Sequence, residues 1–170
     1  LIVTAAYIGY IVYIGGGLLS VKNMAFAVLY TLITVFIFSL IMYLAAMLVR
    51  STGVWSGIGT VVGTLVGFAG AIYMPMGSLS DEIASAVKCI PVLHGASLLR
   101  RVLCDDILRK TFDGLPEAVL DGYKEYMGIT VKMGDDILSD GSQLLFVCLF
   151  GLAALVLILI ITAKRRASDR

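Results

Sequence analysis

The chain has 170 residues, of which 59% are apolar and only 15% charged, with a mean hydropathy of +0.98. Soluble domains average about 25% charged and about 45–50% apolar, and disordered chains are more polar still, so neither a water-soluble globule nor a disordered segment fits. The formal net charge of +1 offers no bulk attraction for nucleic acid. An integral membrane protein remains.

Charge placement supports that reading. Residues 1–21, 24–49, 51–80 and 141–163 carry no charged side chain, whereas residues 81–140 hold eighteen of the twenty-five charges. A membrane-crossing helix needs about 20 apolar residues rising 1.5 Å each. The pattern therefore predicts an all-α integral membrane fold with four transmembrane helices, at about 2–21, 25–49, 54–74 and 142–163. It divides the chain into three parts: residues 1–74 with three spans, residues 75–140 as an extracellular helical segment of short amphipathic helices, and residues 141–170 with the final span and a basic tail.

The first span opens at Leu1 without an initiator Met or a charged flank, as expected of the C-terminal part of a longer chain. It has no basic region typical of a secretory signal. Tyr7, Tyr10 and Tyr13 follow one side of it, and Gly15-Gly16-Gly17 marks a weak or notched stretch. The tyrosines suit interface anchoring or, alternatively, an aromatic lining for an amphipathic substrate. The second span ends at Arg50. The third reads GVWSGIGTVVGTLVGFAGA, with Gly59, Gly63, Gly67 and Ala71 recurring every four residues. Small residues at this period let helix backbones approach closely in lipid. The row fits tight packing within one subunit, or a helix that slides against a neighbour or lines a path.

Pro75 ends the third span, because proline lacks an N–H and disfavours helix in the residue before it. Ser80 is placed to cap a short helix with Asp81 and Glu82 in its first turn, and Pro91 breaks that helix. A second amphipathic helix is expected over about 93–110, with Leu99, Val102, Leu103 and Ile107 near one face. A third is expected from Pro116 to Met127, stopped by Gly128. Residues 129–133 look β-like, and Asp140-Gly141-Ser142 opens the last span.

Four spans put both termini on one side, together with Arg50 and the cluster Lys164-Arg165-Arg166. Residues 81–140 carry eleven acids and seven bases, a net −4. Basic residues flanking spans favour the cytoplasm, so the C-terminus is expected in the cytoplasm and the acidic segment outside.

Motifs for chemistry are sparse. No GxxxxGK[ST] run, HExxH or Cys/His metal spacing occurs, so no metal and no cofactor is expected on this chain. The single histidine, His94, is either a hydrogen-bonded interface residue or a pH sensor. The pairs Asp105-Asp106 and Asp135-Asp136 are sequence neighbours, which do not share a helix face, so solvated charge is the default. No charged residue lies inside a span, which weighs against ion-coupled transport. Cys89 and Cys104 both fall in the outer segment, where an oxidising exterior permits a disulfide; Cys148 belongs to packing.

The order of parts resembles the C-terminal half of bacterial ABC transporter permeases of the ABC-2 type. LVRST (48–52) precedes a glycine-rich span that exits through GAIYMPMGSLSDEIASAV; KCIPVLHGASLLRRVL, a polar segment, a last span and a KRR stop follow. Gly70, Pro75 and Leu79 match the family's G-x-x-x-P-x-x-x-L stretch, and Pro91 with Leu98-Leu99-Arg100 matches its later P…LR feature. The resemblance implies spans three to six of a six-span permease in a bacterial cell membrane. The first two spans and the helix that docks the ATPase would be absent.

It also implies a permease subunit of an ATP-driven exporter. Its partners would be an ATP-binding cassette subunit that carries the ATP, a second permease subunit in a homo- or heterodimer, and membrane lipid, with no nucleic acid. Gly59, Gly63, Gly67, Gly70 and Pro75 are the expected packing or gating elements. Leu79, Pro91, His94 and Arg100 are the expected extracellular gate. The alternative is a non-transporting scaffold or sensor whose acidic segment binds a partner. A membrane-embedded enzyme ranks last, since no polar catalytic cluster lies in or beside the spans.

Overall fold

Helix α2 (Val21–Leu48) starts where Ser20 accepts a hydrogen bond from the Asn23 backbone N–H at 3.2 Å, and it stops where Val49 turns extended. Its 28 residues rise about 42 Å. A computed structural model describes residues 2–14, 19–134 and 136–168 of the chain. In it, α1 (Ile2–Tyr13) has twelve residues, rising about 18 Å, well short of a hydrocarbon core of about 30 Å. The expected span over 2–21 is thus corrected: Ser20 caps a new helix instead of continuing the first. The Gly15-Gly16-Gly17 notch lies outside the described residues.

Helix α3 (Thr52–Ala69) closes on Gly70 rather than running to residue 74. The chain reverses there. The Ile72 N–H bonds the Gly67 carbonyl at 2.9 Å, Ala71 takes a left-handed φ of 52°, and the Tyr73 ring folds back edge-on to Phe68, centroids 5.3 Å apart. A short 3-10 turn (Met76–Ser78) leads into α4 (Asp81–Lys88), then α5 (Pro91–Thr111) and α6 (Glu117–Tyr126). Ser80 precedes α4 but makes no side-chain cap. Gly128, at φ 68°, ends α6. Strands β1 (Lys132–Met133) and β2 (Asp136–Ile137) form a small antiparallel hairpin, pairing Lys132 with Ile137 and Met133 with Asp136. Helix α7 (Asp140–Ser168) completes the chain.

α2 and α7 run parallel and side by side. Arg165 donates to the Met47 carbonyl at one end (2.7 Å), and midway a methyl added at Gly151 would sit 2.9 Å from Ile37 Cγ1. Glycine there sets the close approach of the two backbones. α5 lies antiparallel against both: Gly95 faces Thr34, and the Asn23 amide donates to Asp106 at 3.3 Å. Thr31 and Thr34 return their hydroxyls to their own helix, to Ala27 and Tyr30 carbonyls at 2.7 Å, so their burial leaves no orphaned group.

Three helices, α2, α3 and α7, are long and apolar enough to cross a membrane. Many of their large apolar side chains point outward, among them Phe36, Leu65 and Leu159 at 59–65% exposure. Such apolar outer surface suits lipid rather than water. α4 and α5 meet at a bend of 85° at Lys88–Pro91. A small core gathers Ala71, Met76, Val87, Leu93 and Val131, with Leu79 and Leu138 against it.

Candidate functional site

The α5 tip enters between α2 and α7, and three layers follow along these helices. At one level lies an apolar cavity of about 780 Å³, walled by Phe38 and Met42 of α2, Gly59 and Gly63 of α3, Pro91 at the tip of α5, and Ala154 of α7. At the other lies a charged pocket of about 390 Å³ bounded by Lys22, Tyr30, Arg101, Asp105 and Asp140. Between them lies a packed layer: Leu93, His94, Ser97 and Leu98 of α5, Thr31 and Thr34 of α2, and Gln143 and Val147 of α7 are all buried.

The sequence builds this layer from small and shape-matched residues. Pro91 is tolerated at the first helical position, where no N–H is needed. Gly95 admits Thr34: a methyl there would lie 3.0 Å from Thr34 Cγ2. Ser97 is buried but donates to the Ile129 carbonyl at 2.7 Å. The His94 ring lies tilted against Phe146, centroids 4.5 Å apart, and its Nε2 pairs with the Lys88 carbonyl at 2.8 Å, fastening α5 to the end of α4. The hydrogen-bonded interface reading of His94 describes this nitrogen.

Above the layer, Arg101 is the knot. It pairs with the Asp140 carboxylate and donates to the carbonyls of Ile129 at 3.0 Å and Leu138 at 3.1 Å, joining α5, α7 and the connector between α6 and α7. Arg100 donates to the Ala71 carbonyl at 2.8 Å, bracing the left-handed turn after α3. Farther out, partial burial pushes the Asp105 carboxyl up, but hydrogen bonds from Lys124 (2.8 Å) and Arg109 (2.9 Å), with their charges, outweigh it. The carboxyl is held below its ordinary range.

The expected site residues separate into groups. Gly59, Gly63 and Pro91 meet at the cavity, and a Cβ added at either glycine would find nothing within 4 Å. These two therefore line open space and do not serve close packing. Gly67 differs: a methyl there would overlap the Tyr73 ring. Gly70 caps α3, Pro75 starts the 3-10 turn and Leu79 joins the small core, so these three lie apart from the cavity wall. His94 falls in the packed layer and Arg100 beside it.

The permitted disulfide is corrected. Cys89 sits in the bend, whereas Cys104 lies thirteen residues along α5 from Pro91, about 20 Å at helical rise, beyond the roughly 7 Å Cα limit for a bridge. Among the described residues no disulfide joins them. The expected apolar face of α5 shifts as well: Ile107 is exposed, and the buried residues are Pro91, Leu93, His94, Gly95, Ser97 and Leu98.

Sequence reasoning passed over Gln143, Thr31, Thr34 and Arg101 as members of the site. Gln143 had one legible signal, as the polar residue at the edge of the last apolar run. No protein-family model matches the chain, and neither does any curated protein or solved structure.

Proposed function

We propose that this chain is the transmembrane permease subunit of an ATP-driven ABC exporter of the ABC-2 type, moving an amphipathic substrate outward with energy from a separate ATP-binding subunit. The observation that carries the reading is the stacking of an apolar cavity, a packed layer and a charged pocket along α2, α5 and α7. An exporter needs a compartment for substrate and a barrier that can open, and the bent α4–α5 pair supplies the barrier as a re-entrant element. The order of parts that carries the resemblance supports the reading: a basic turn, a glycine-bearing span, two helices with Pro91 between them, and a last span with a basic end.

Orientation follows from the flanking charges. Arg50 and Lys164-Arg165-Arg166 mark the cytoplasmic side, and Arg165 contacts Met47 at that same end of the α2–α7 pair. Residues 75–140 then belong to the outer side. The cavity opens toward the cytoplasmic half of the bundle and the charged pocket toward the exterior.

In the proposed cycle, a second permease subunit and two ATP-binding subunits complete the machine. ATP binding on the partners draws the subunits together, the α5 tip withdraws from between α2 and α7, and the apolar part of the substrate passes the layer. α3 is the natural moving wall, since only Gly67 and Ala69 of it are buried. The chain needs a bistable interface for this and no bond-making groups.

The test is purification of the full-length protein from its native membrane. Co-purification of a subunit bearing a GxxxxGK[ST] motif, with ATP-dependent efflux of an amphipathic dye from vesicles, is the expected outcome. A protein that carries no such partner, and whose acidic segment instead captures a soluble ligand protein, would favour the scaffold or sensor reading.

A further inference from the structure

The charged pocket of about 390 Å³ at the Lys22 end of α2 holds both signs of charge, and most of its lining groups are already engaged. Arg101 pairs with Asp140 and reaches the Ile129 and Leu138 carbonyls. Asp105 has one carboxylate oxygen on Lys124 and the other on Arg109. The Asn23 amide donates to Asp106. Three lining groups keep capacity to spare. Lys22 is exposed and has no ion pair among the described residues. Asp140 meets Arg101 through Oδ1, and its Oδ2 has no partner among the described residues. Tyr30 is only 7% exposed, yet its hydroxyl has no hydrogen bond among the described residues. Burying a hydroxyl unpaired is costly, so the Tyr30 phenol points to a ligand.

The arrangement sets the chemistry of that ligand. Lys22, Phe26 and Tyr30 recur every four residues along one side of α2. Helical side chains lean toward the N-terminus of their helix, which directs the Tyr30 phenol toward the Lys22 end, beside the Phe26 ring with centroids 5.8 Å apart. A lone anion here would meet Asp105 and Asp140, and a lone cation would meet Lys22 and Arg101. A molecule that carries both signs satisfies all three spare groups. Lys22 opens α2 and Asp140 opens α7, two helices long and apolar enough to cross a membrane. The pocket therefore lies at the edge of the hydrocarbon layer, at the depth of lipid headgroups. Farther along α2, Leu29 and Leu32 are about half exposed, apolar surface on which acyl chains can lie.

We propose that this pocket binds a zwitterionic phosphate–ammonium group, with the phosphate accepting hydrogen bonds from the Lys22 ammonium and the Tyr30 hydroxyl, and the ligand's ammonium donating to Asp140 Oδ2. A phosphatidylethanolamine headgroup and free phosphoethanolamine share this chemistry, and the depth of the pocket favours the lipid. The site stands without the exporter reading, because it uses only the ends of α2 and α7.

The test titrates the full-length protein, purified in detergent and stripped of lipid, with phosphatidylethanolamine and with phosphatidylglycerol, which keeps the phosphate and lacks the ammonium. Binding is followed by native mass spectrometry. The wild type should bind phosphatidylethanolamine about tenfold more tightly, the worth of one hydrogen bond to a charged group. Tyr30→Phe, which removes a single oxygen, should weaken that binding about tenfold on the same ground. Lys22→Met should weaken it about fivefold, since an exposed charge is screened. Lys110→Met, an exposed lysine of α5 outside the pocket, should leave it unchanged. Equal affinity for the two lipids, or wild-type binding by both Tyr30→Phe and Lys22→Met, would overturn the site. Free phosphoethanolamine binding as tightly as the lipid would uphold the chemistry and overturn the lipid as its source.

Discussion

Gly63→Leu is the substitution that most sharply separates a cavity wall from a packing surface. A Cβ at position 63 meets nothing within 4 Å, and the position borders a cavity of about 780 Å³. The Cβ displaces no neighbour, the rest of the side chain has the cavity to enter, and replacing a mid-helix glycine by leucine favours the helix by roughly 0.8–1 kcal/mol. The folded protein should therefore be as stable as the wild type or slightly more so, while the isobutyl group occupies the space we propose for substrate. At Gly67 the same change drives a side chain into the Tyr73 ring, which packs edge-on to Phe68. Overpacking costs about 1–3 kcal/mol, and loss of the aromatic pair adds about 0.5–1.5 kcal/mol. Thermal unfolding in detergent and efflux from vesicles should be measured on both variants. Gly63→Leu should retain its Tm and lose most transport, and Gly67→Leu should lose several degrees of Tm as well. If Gly63→Leu unfolded as readily as Gly67→Leu, or exported at the wild-type rate, the assignment of Gly63 to an open substrate wall would be wrong.

Other consequences are as direct. Arg101→Met removes the Asp140 pair and two carbonyl contacts, so about 3 kcal/mol of local stability should go, read as faster hydrogen exchange over residues 129–139; unchanged exchange would refute the knot. Asp105 has a depressed folded-state pKa, so its contribution is complete above the ordinary carboxylate range and is lost as pH falls through the lower folded value. Exchange in α6 should accelerate only in that acid window, and Asp105→Asn should erase the pH dependence. Gly151→Leu should force α2 from α7 against Ile37 and cost about 1–3 kcal/mol, seen as a lower Tm than that of Gly63→Leu. Under mild oxidation Cys89 and Cys104 of one chain should not cross-link, as a thiol count by mass spectrometry would reveal.

How far the sequence could be read depended on the range of the forces involved. α2 and α7 are legible because long uncharged runs bounded by Arg50 and by Lys164-Arg165-Arg166 leave few alternatives. α4 and α6 are legible because Asp81, Glu82, Pro91, Pro116 and Gly128 punctuate them locally. The first helix misleads because hydropathy registers length but not the fresh cap at Ser20. In the glycine row, one period hides two environments: Gly59 and Gly63 face space, while Gly67 receives a ring returned by the reversal at Ala71. In α5 the spacing of Leu99, Val102 and Leu103 identifies an amphipathic helix, but the buried stretch from Pro91 to Leu98 is chosen by insertion between two distant helices. Nothing local in PVLHGASL announces that insertion. The contact of the His94 ring with Phe146 belongs to the same class of long-range fact.

The most direct measurement takes the full-length protein with the ATP-hydrolysing partner proposed for it in vesicles and follows modification of Gly59→Cys by an impermeant thiol reagent applied from the outer side. A closed layer predicts no reaction at rest and rapid reaction once ATP is supplied. Reaction at the same rate with and without ATP, or protection that persists throughout ATP hydrolysis, would contradict a gate between the cavity and the charged pocket.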